Sequence, residues 1–239
     1  HHESTGGLFN PAILSDLESA GYDRSFELMN FGAKGDESVS PESLRLNDVL
    51  VIDRDQKCVV SKSRLDLGGI AKGWTVDRAS ELMSTECTGW LIDAGGDIFC
   101  GGLSPDHDGW VVGIDDPFLD EEMADVVRLT DSAIATSSTI KRSWTINGER
   151  RHHIIDPNTH RSASSGLAAV SVVAKTAELA DVLAKCSVIL GESDSRELLF
   201  ANDSTARFTR EDGSSVETEN WPSLLVDQSY FSPAKSRMM

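Results

Sequence analysis

A glycine-rich segment at the predicted start of a helix is the part of the sequence best suited to bind an anion. Residues 66–73 read DLGGIAKG, with two adjacent glycines followed by Lys72. The first backbone N–H groups of a helix have no intrahelical partner, and glycine lets a phosphate reach them without a Cβ atom in the way. Lys72 would add a point charge, and Asp66 could accept a hydrogen bond from a hydroxyl or a ring N–H. Two interpretations stay open: a phosphate-binding nest, or a tight strand-to-helix turn with a solvated lysine.

A second pair of glycines interrupts an apolar stretch. Residues 91–99 read LIDAGGDIF, in which Gly95, Gly96 and Asp97 separate two halves with strand character. Glycine inside a strand predicts a bulge or the close approach of another backbone or a ligand. The segment therefore indicates either a ligand contact or the packing of a neighbouring strand.

One histidine and one aspartate stand in settings that could support chemistry. His153 precedes an apolar pair and an Asp-Pro turn, and strand alternation places it on the face opposite His152. A core or turn histidine is the alternative. Asp181 lies among apolar residues of a predicted helix, and an unpaired buried charge is costly. We therefore expect Asp181 to be bound to a metal, or to form an exposed helix pair with Lys185 four residues on.

The elements that must position these residues are predicted from periodicity and turn residues. The helix from 69 to 84 should bury an apolar face on a sheet, and the strand at 167–174 should be buried on both sides. An Asn147-Gly148 pair predicts a tight hairpin. The predicted apolar face consists of Ile70, Trp74, Ala79, Leu82 and Met83. Further helices are predicted at 12–21, 176–191 and 193–201, and strands at 49–53, 57–61, 90–102, 110–115, 124–131, 132–138 and 143–156, with a last turn at Asp212-Gly213.

This pattern predicts an α+β fold with a largely antiparallel sheet and packed amphipathic helices, because hairpin-joined strands dominate over alternating strand and helix units. We expect one domain over residues 1–239, with residues 222–239 as a frayed tail. His1 and His2 are set aside as either a tag remnant or native residues.

Composition excludes two classes of partner. The chain has 22 Lys and Arg against 39 Asp and Glu, a formal net charge of -17. Such a field repels nucleic acid and anionic membrane surfaces, so neither is expected as a partner. No stretch approaches the ~20 apolar residues of a membrane span, and the start carries no basic and apolar leader. A cytoplasmic location is therefore expected. The four cysteines contain no CxxC pair and predict neither a zinc site nor a redox dithiol.

Taken in order, six segments of the chain resemble the FAD:protein FMN transferase family, also called the ApbE family. The segments are DLGGIAKGWTVDRA, AGGDI, GIDDP, AIATS, HHIIDP and AELADVLAK, and the similarity runs over residues 5–191. The resemblance implies an ApbE-like, T-fold-like architecture. It also implies an enzyme that splits FAD, passes the FMN half to a Thr or Ser hydroxyl of a partner protein and releases AMP, with the help of Mg²⁺.

The resemblance implies a set of site residues as well. Those expected to contact the dinucleotide are Leu8, Phe9, Asn10, Asp66, Gly68, Gly69, Lys72 and Ile154. The metal would be held by the main-chain oxygen of Gly69, by Asp181 and by Glu178 one helical turn earlier. Asp181 would be catalytic through that metal, and His153 would have a supporting or acid–base role.

The sequence departs from the family pattern at four positions. Lys185 stands where Thr or Ser is usual, so an ammonium could take the place of the cation beside the pyrophosphate. Asn10 replaces a commoner Asp, and Ser138 and His160 replace expected glycines. The family's N-terminal strand and helix region is not in this sequence. Two other functions therefore stay open: a module that binds FAD or FMN without transfer, and an FAD pyrophosphatase that uses water as the acceptor.

Overall fold

The computed structural model of the protein describes residues 1–24, 26–29, 45–106 and 108–227. The helices are α1 (Leu14–Ser19), α2 (Leu46–Val49), α3 (Ala71–Met83), α4 (Ala177–Leu190) and α5 (Glu192–Ala201). The strands are β1 (Leu50–Asp53), β2 (Cys58–Ser61), β3 (Gly89–Asp93), β4 (Ile98–Gly102), β5 (Trp110–Asp115), β6 (Met123–Leu129), β7 (Ser132–Ser138), β8 (Ser143–Ile146), β9 (Glu149–His152), β10 (Ile155–Asp156), β11 (Arg161–Ser162), β12 (Leu167–Ala174), β13 (Thr205–Arg210) and β14 (Ser215–Glu217). Short 3-10 turns cover Pro11–Ile13, Phe26–Leu28 and Trp221–Leu224.

A six-stranded sheet with the order β14-β13-β12-β7-β4-β3 forms the centre of the fold. Every neighbouring pair in it is antiparallel. The four pairs β1-β2, β5-β6, β8-β9 and β10-β11 form separate two-stranded sheets. The predicted α+β class with a largely antiparallel sheet is therefore confirmed. That residues 1–239 make a single domain stays a prediction.

Helices cover one face of the central sheet and a hairpin covers the other. All eight residues of β12 are buried, as the sequence predicts for a strand packed on both sides. Val170 and Val172 face the main core with α4 and α5, whereas Val173 faces a second core under the β5-β6 hairpin. The second core contains Cys100, Val112, Ile114, Val127, Leu129, Ile134, Val173 and Trp221.

The predicted buried face of α3 is wrong. Trp74 is 51% exposed and Leu82 is 73% exposed. The buried residues are instead Gly73, Val76, Asp77 and Ser80. The reason is the close approach of α3 to α4: a Cβ atom on Gly73 would lie 2.6 Å from the carbonyl oxygen of Ala177. Such a narrow interface accepts small side chains and excludes the large apolar ones.

The predicted fraying after Pro222 is wrong for the next few residues. Leu225 bridges to Val127, and the Val226 N–H donates to the Val126 carbonyl at 2.9 Å. Trp221, just before this segment, is fully buried. Residues 228–239 lie outside the described residues.

The structure also bears on membrane spans and on the cysteines. None of the helices within the described ranges is long and apolar enough to cross a membrane. The four cysteines are free, and burial raises the pKa of both Cys100 and Cys186 to about 12. These two thiols are therefore protonated packing groups at neutral pH.

Candidate functional site

The site is built where the start of α3, the middle of α4 and the turn between β3 and β4 meet. Lys72, in the first turn of α3, forms an ion pair with Asp97 at 2.9 Å. The side chain of Asp97 is only 3% exposed, whereas that of Lys72 is 46% exposed. A half-exposed ammonium therefore neutralises a buried carboxylate at this point.

The turn between β3 and β4 explains how Asp97 comes to face the helices. Gly95 and Gly96 have φ values of +68° and +94°, which favour glycine, and the Gly96 N–H donates to the Asp93 carboxylate at 2.8 Å. The predicted bulge is thus a tight turn, because both glycines lie in left-handed conformations between two paired strands. Nothing lies within 4 Å of a Cβ atom placed on either glycine, so both border open space.

Asp181 projects from α4 into the same region. It is 7% exposed, and its Oδ2 atom has no hydrogen-bond partner in the described part of the chain. Burial raises the pKa of Asp181 to about 6; the nearby Asp97 carboxylate acts in the same direction and Lys185 opposes it. Asp97 also has a buried oxygen, Oδ2, without a partner. Two buried carboxyl groups thus face each other with spare acceptor capacity.

Lys185 reaches from α4 to the backbone of Gly69. A Cβ atom on Gly69 would collide with Nζ of Lys185 and would lie 2.7 Å from its Cε. A side chain at position 69 would therefore have to displace the end of the Lys185 side chain. The expected exposed helix pair with Asp181 is not formed, since no ion pair joins Lys185 to Asp181. Asp181 is buried instead.

His153 borders this cluster as a neutral imidazole. Its Nδ1 atom is buried and has no hydrogen-bond partner among the described residues. Burial, followed by the positive charges of Lys185 and Arg142, lowers the pKa of His153 to about 3. At neutral pH the ring is therefore unprotonated and can accept a hydrogen bond at Nδ1, and the approach of an anion would raise its pKa.

The loop before α3 holds its shape through Asp66. The Oδ1 atom of Asp66 accepts from the Gly68 N–H at 3.0 Å, and its own N–H donates to the Pro11 carbonyl at 2.8 Å. No side chain of the described residues caps the start of α3. The N–H groups of Ile70 and Ala71 donate to the Leu67 carbonyl at 3.1 Å and 2.9 Å, so the start of α3 offers an anion the positive end of the helix dipole beside Lys72.

The structure places other expected dinucleotide contacts behind this surface. Phe9 packs on Val182 and Cys186 of α4, with Leu8 against the same cluster. The Asn10 side chain accepts from the Ala12 N–H at 3.0 Å and caps a short turn. Ile154 is 1% exposed and lies in the main core. These side chains support the site, and any contact that they make with a ligand must use the exposed edge or the backbone.

Glu178 contacts the N-terminal segment. Its Oε1 atom lies 2.7 Å from Nε2 of His1, and Nδ1 of His2 lies 2.8 Å from the Phe9 carbonyl oxygen. The two histidines that were set aside on the sequence thus contact residues of the expected site. No sequence signal connected His1 with Glu178, because the two are joined only by the packing of the N-terminal segment on α4.

Sequence reasoning also missed Asp77, which lies on the buried face of α3. Its two carboxylate oxygens accept from the backbone N–H groups of Ala177 at 2.8 Å and Glu178 at 2.9 Å. The available signal was a carboxylate about two helical turns after the glycine pair, in the segment that reads GWTVDRA. Asp77 links the helix that carries Lys72 to the helix that carries Asp181.

A cavity of about 310 Å³ opens on the opposite face of the sheet, next to the Gly95-Gly96 turn. It lies between the central sheet and the β5-β6 hairpin. An ion pair between Lys141 and Asp115, 2.6 Å long, stands at its edge. The lining residues are Asp93, Gly95, Gly96, Ile98, Val112, Gly113, Ile114, Asp115, Pro117, Ile134, Thr136, Ser138, Lys141 and Ala169. The segments AGGDI, GIDDP and AIATS all contribute to this lining.

The expected magnesium ligands do not fit a metal in this arrangement. Across the described residues, no group of three or more His, Cys, Asp or Glu side chains is arranged to hold an ion. Glu178 is bonded to His1, and the ammonium of Lys185 lies against Gly69. Of the two side chains expected as ligands, Asp181 alone offers a buried oxygen without a partner. Mg²⁺ prefers six oxygen ligands and would lie here beside a competing positive charge.

Comparisons with known proteins agree on one family. The model of the ApbE family matches residues 1–208. The chain is 31% identical over 219 residues to the FAD:protein FMN transferase of Treponema pallidum (strain Nichols), which covers 82% of this chain and 59% of that protein. It is 30% identical over 186 residues to the FAD:protein FMN transferase of Vibrio cholerae, which covers 73% of this chain and 56% of that protein. The chain thus spans less than two thirds of the length of these relatives.

Solved structures show the same architecture. The ApbE protein of Thermotoga maritima superimposes with a TM-score of 0.77 at 27% sequence identity, over 95% of this chain and 74% of that one. The apo form of the flavinyl transferase ApbE of Pseudomonas stutzeri gives a TM-score of 0.74 at 23% identity, over 94% of this chain and 71% of that one, and at this identity shows the fold alone. Since the family model covers most of the chain and the structures share its sheet and helices, the chain belongs to the ApbE family.

Proposed function

We propose that this chain forms the catalytic body of an FAD:protein FMN transferase. One observation carries the proposal: two ammonium groups, of Lys72 and Lys185, converge on the uncapped start of α3 beside two buried carboxylates. In a chain with a net charge of -17, these two ammonium groups are a local source of positive charge for a diphosphate that the rest of the surface would repel. The activity printed for the curated relatives, FAD:protein FMN transferase, supports the same reaction.

The binding mode follows from the layout. The pyrophosphate of FAD lies over Gly68 and Gly69, where the positive end of the α3 dipole and the Lys72 ammonium stabilise its charge. The cavity beside Gly95 and Gly96 accepts an aromatic part of the dinucleotide, since it joins apolar walls to a few polar groups. Asp66 shapes the loop that exposes the phosphate-binding backbone.

The reaction transfers a phosphoryl group. The hydroxyl of a Thr or Ser on a partner protein attacks the FMN phosphorus, a new O–P bond forms, and the P–O bond to AMP breaks. Asp181 takes the proton of the attacking hydroxyl. Its pKa of about 6 leaves it ionised at neutral pH and is close to the operating pH, as suits a general base. His153, neutral and with an unpaired Nδ1, hydrogen-bonds the phosphoryl oxygens or the hydroxyl. Positioning and preorganised charge supply most of the rate.

Magnesium stays a prediction of the family resemblance. When bound, a divalent cation would neutralise charge on the phosphoryl oxygens. The residues expected to hold it do not form such a set here, so no step above depends on it.

The proposal is tested by incubating the protein with FAD and a peptide that contains Thr, with a matched peptide in which Val replaces that Thr. Covalent flavin fluorescence on the Thr peptide, together with AMP release, is the expected result. AMP and FMN released without labelling would indicate a pyrophosphatase. FAD that is bound but intact would indicate a binding module.

A further inference from the structure

Lys185 lies on a mostly buried part of α4, unlike an ordinary surface lysine. It lies one helical turn after Asp181 on α4, and residues 182–184 and 186 around it are all buried. Its side chain is itself half-buried and ends against the backbone of Gly69. The ammonium of Lys185 thus lies at the N-terminal end of α3, and the packing of α4 in the core fixes its position.

The ammonium of Lys185 forms no ion pair with another described residue. Lys72 is paired with Asp97 at 2.9 Å, whereas Lys185 forms no salt bridge or hydrogen bond with another residue in the described ranges. It influences Asp181, His153 and Cys186 only through space. A half-buried ammonium without a close partner has lost part of its hydration. Contact with an anionic ligand would replace the stabilisation that this lost hydration gave.

The charges of the cluster already balance without a metal. Asp97 and Asp181 can carry two negative charges, and Lys72 and Lys185 carry two positive ones. A divalent cation added beside Gly69 would have to displace the ammonium or lie next to it, at a cost in electrostatic repulsion. No group of three or more His, Cys, Asp or Glu side chains among the described residues is arranged to offset that cost, and Glu178 is hydrogen-bonded to His1.

We propose that the ammonium of Lys185 supplies the positive charge for the FAD pyrophosphate at the place where a divalent cation would otherwise be required, so that this chain binds FAD without magnesium. The inference rests on the proposed function for the identity of the ligand, and it concerns binding rather than transfer. Lys185 binds the diphosphate from the α4 side, and Lys72 and the positive end of the α3 dipole stabilise it from the other side. At position 185, where the family resemblance implies Thr or Ser, this chain thereby carries a positive charge.

The test is a titration of FAD into the protein, followed by flavin fluorescence, in buffer with EDTA and in buffer with excess Mg²⁺. The wild-type chain should give the same Kd in both. Lys185→Thr should bind about 10- to 100-fold more weakly in EDTA, as expected for loss of a charged hydrogen bond, and Mg²⁺ should recover part of the loss. Lys175→Thr, which changes an exposed lysine just before α4, is the matched control and should behave as wild type.

The other possible outcomes separate the inference about FAD binding from the proposal of transferase activity. Wild-type binding that is lost in EDTA and restored by Mg²⁺ overturns it, as does a Lys185→Thr variant with unchanged affinity in EDTA. If that variant does not fold, judged by circular dichroism, Lys185→Met keeps the aliphatic stem and replaces it in the titration. FAD binding in EDTA without peptide labelling sinks the transferase proposal alone. A wild-type chain that binds no FAD in either buffer overturns both.

Discussion

The carboxylate of Asp77 on α3 accepts hydrogen bonds from the first two backbone N–H groups of α4, those of Ala177 at 2.8 Å and Glu178 at 2.9 Å. A cap supplied by another helix does more than satisfy unpaired donors. It sets the distance between the residues that α3 contributes to the site and those that α4 contributes. Asp77 therefore positions Lys72 relative to Asp181 without touching a ligand.

Replacing Asp77 should weaken both the fold and the site. We expect Asp77→Ala to lower the free energy of unfolding by about 1–3 kcal/mol, because two buried N–H groups lose their acceptor. FAD affinity should fall as well, since the two helices lose their common register. Urea unfolding and FAD titration measure the two effects, with Glu197→Ala on the exposed side of α5 as the control. Unchanged stability in Asp77→Ala would show that water replaces the carboxylate at no cost.

Gly69 and Gly73 should respond differently to the same substitution. In Gly73→Ala the new Cβ atom would lie 2.6 Å from the backbone oxygen of Ala177, so we expect a loss of about 1–3 kcal/mol of stability despite alanine's better helix propensity. In Gly69→Ala the new atom meets only the flexible end of Lys185. Stability should change little, and FAD affinity should fall because the ammonium is displaced. Thermal unfolding and FAD titration of the two variants distinguish a packing glycine from a ligand-site glycine, and equal stability losses would contradict the assignment.

His153 should make the protein less stable in acid. Its pKa is lowered from 6.5 to about 3, so the folded state resists protonation that the unfolded state accepts. The stabilising contribution is complete above pH 6.5 and is lost progressively as the pH falls toward 3. We expect His153→Gln to reduce the decline in unfolding free energy between about pH 6.5 and pH 4. Urea unfolding at several pH values checks this, and an imidazole that titrates near pH 6.5 by NMR would refute it.

The same imidazole should report on the ligand. A bound diphosphate brings negative charge next to His153 and offsets the cations that depress its pKa. NMR titration with and without FAD should therefore show a higher His153 pKa in the complex. An unchanged pKa would place the diphosphate away from this histidine.

Trp221 should be essential for the layer beneath the β5-β6 hairpin. It is fully buried, and its Nε1 donates to Asp125 at 3.1 Å. We expect Trp221→Ala to cost about 3–5 kcal/mol, as for other large-to-small changes in a core. Leu225→Ala, at a side chain that is 43% exposed, should cost much less. Chemical denaturation of both variants tests whether this C-terminal segment is an integral part of the fold, and similar small losses in both would show that it is not.

Local chemistry in the sequence was enough to predict most of the elements. The Asn147-Gly148 turn joins β8 and β9 with φ values of +52° and +83°, which follows from the tolerance of these two residues for left-handed backbone. The buried strand β12 and the long helix α4 follow from an unbroken apolar run and from helical spacing. The same pattern predicted the α+β class, and the family resemblance added the ApbE-like architecture and an expected set of site residues.

What the sequence by itself determined were therefore the turns, the elements and the residue types able to bind a diphosphate, because these depend on neighbours along the chain. Only the tertiary structure decided that α3 packs through Gly73 rather than through Trp74, and that Glu178 bonds to His1. It also decided which cation lies beside Gly69. The placement of that cation depends on how closely α3 and α4 approach and on where the flexible Lys185 side chain ends. Local propensity and periodicity predict neither of these.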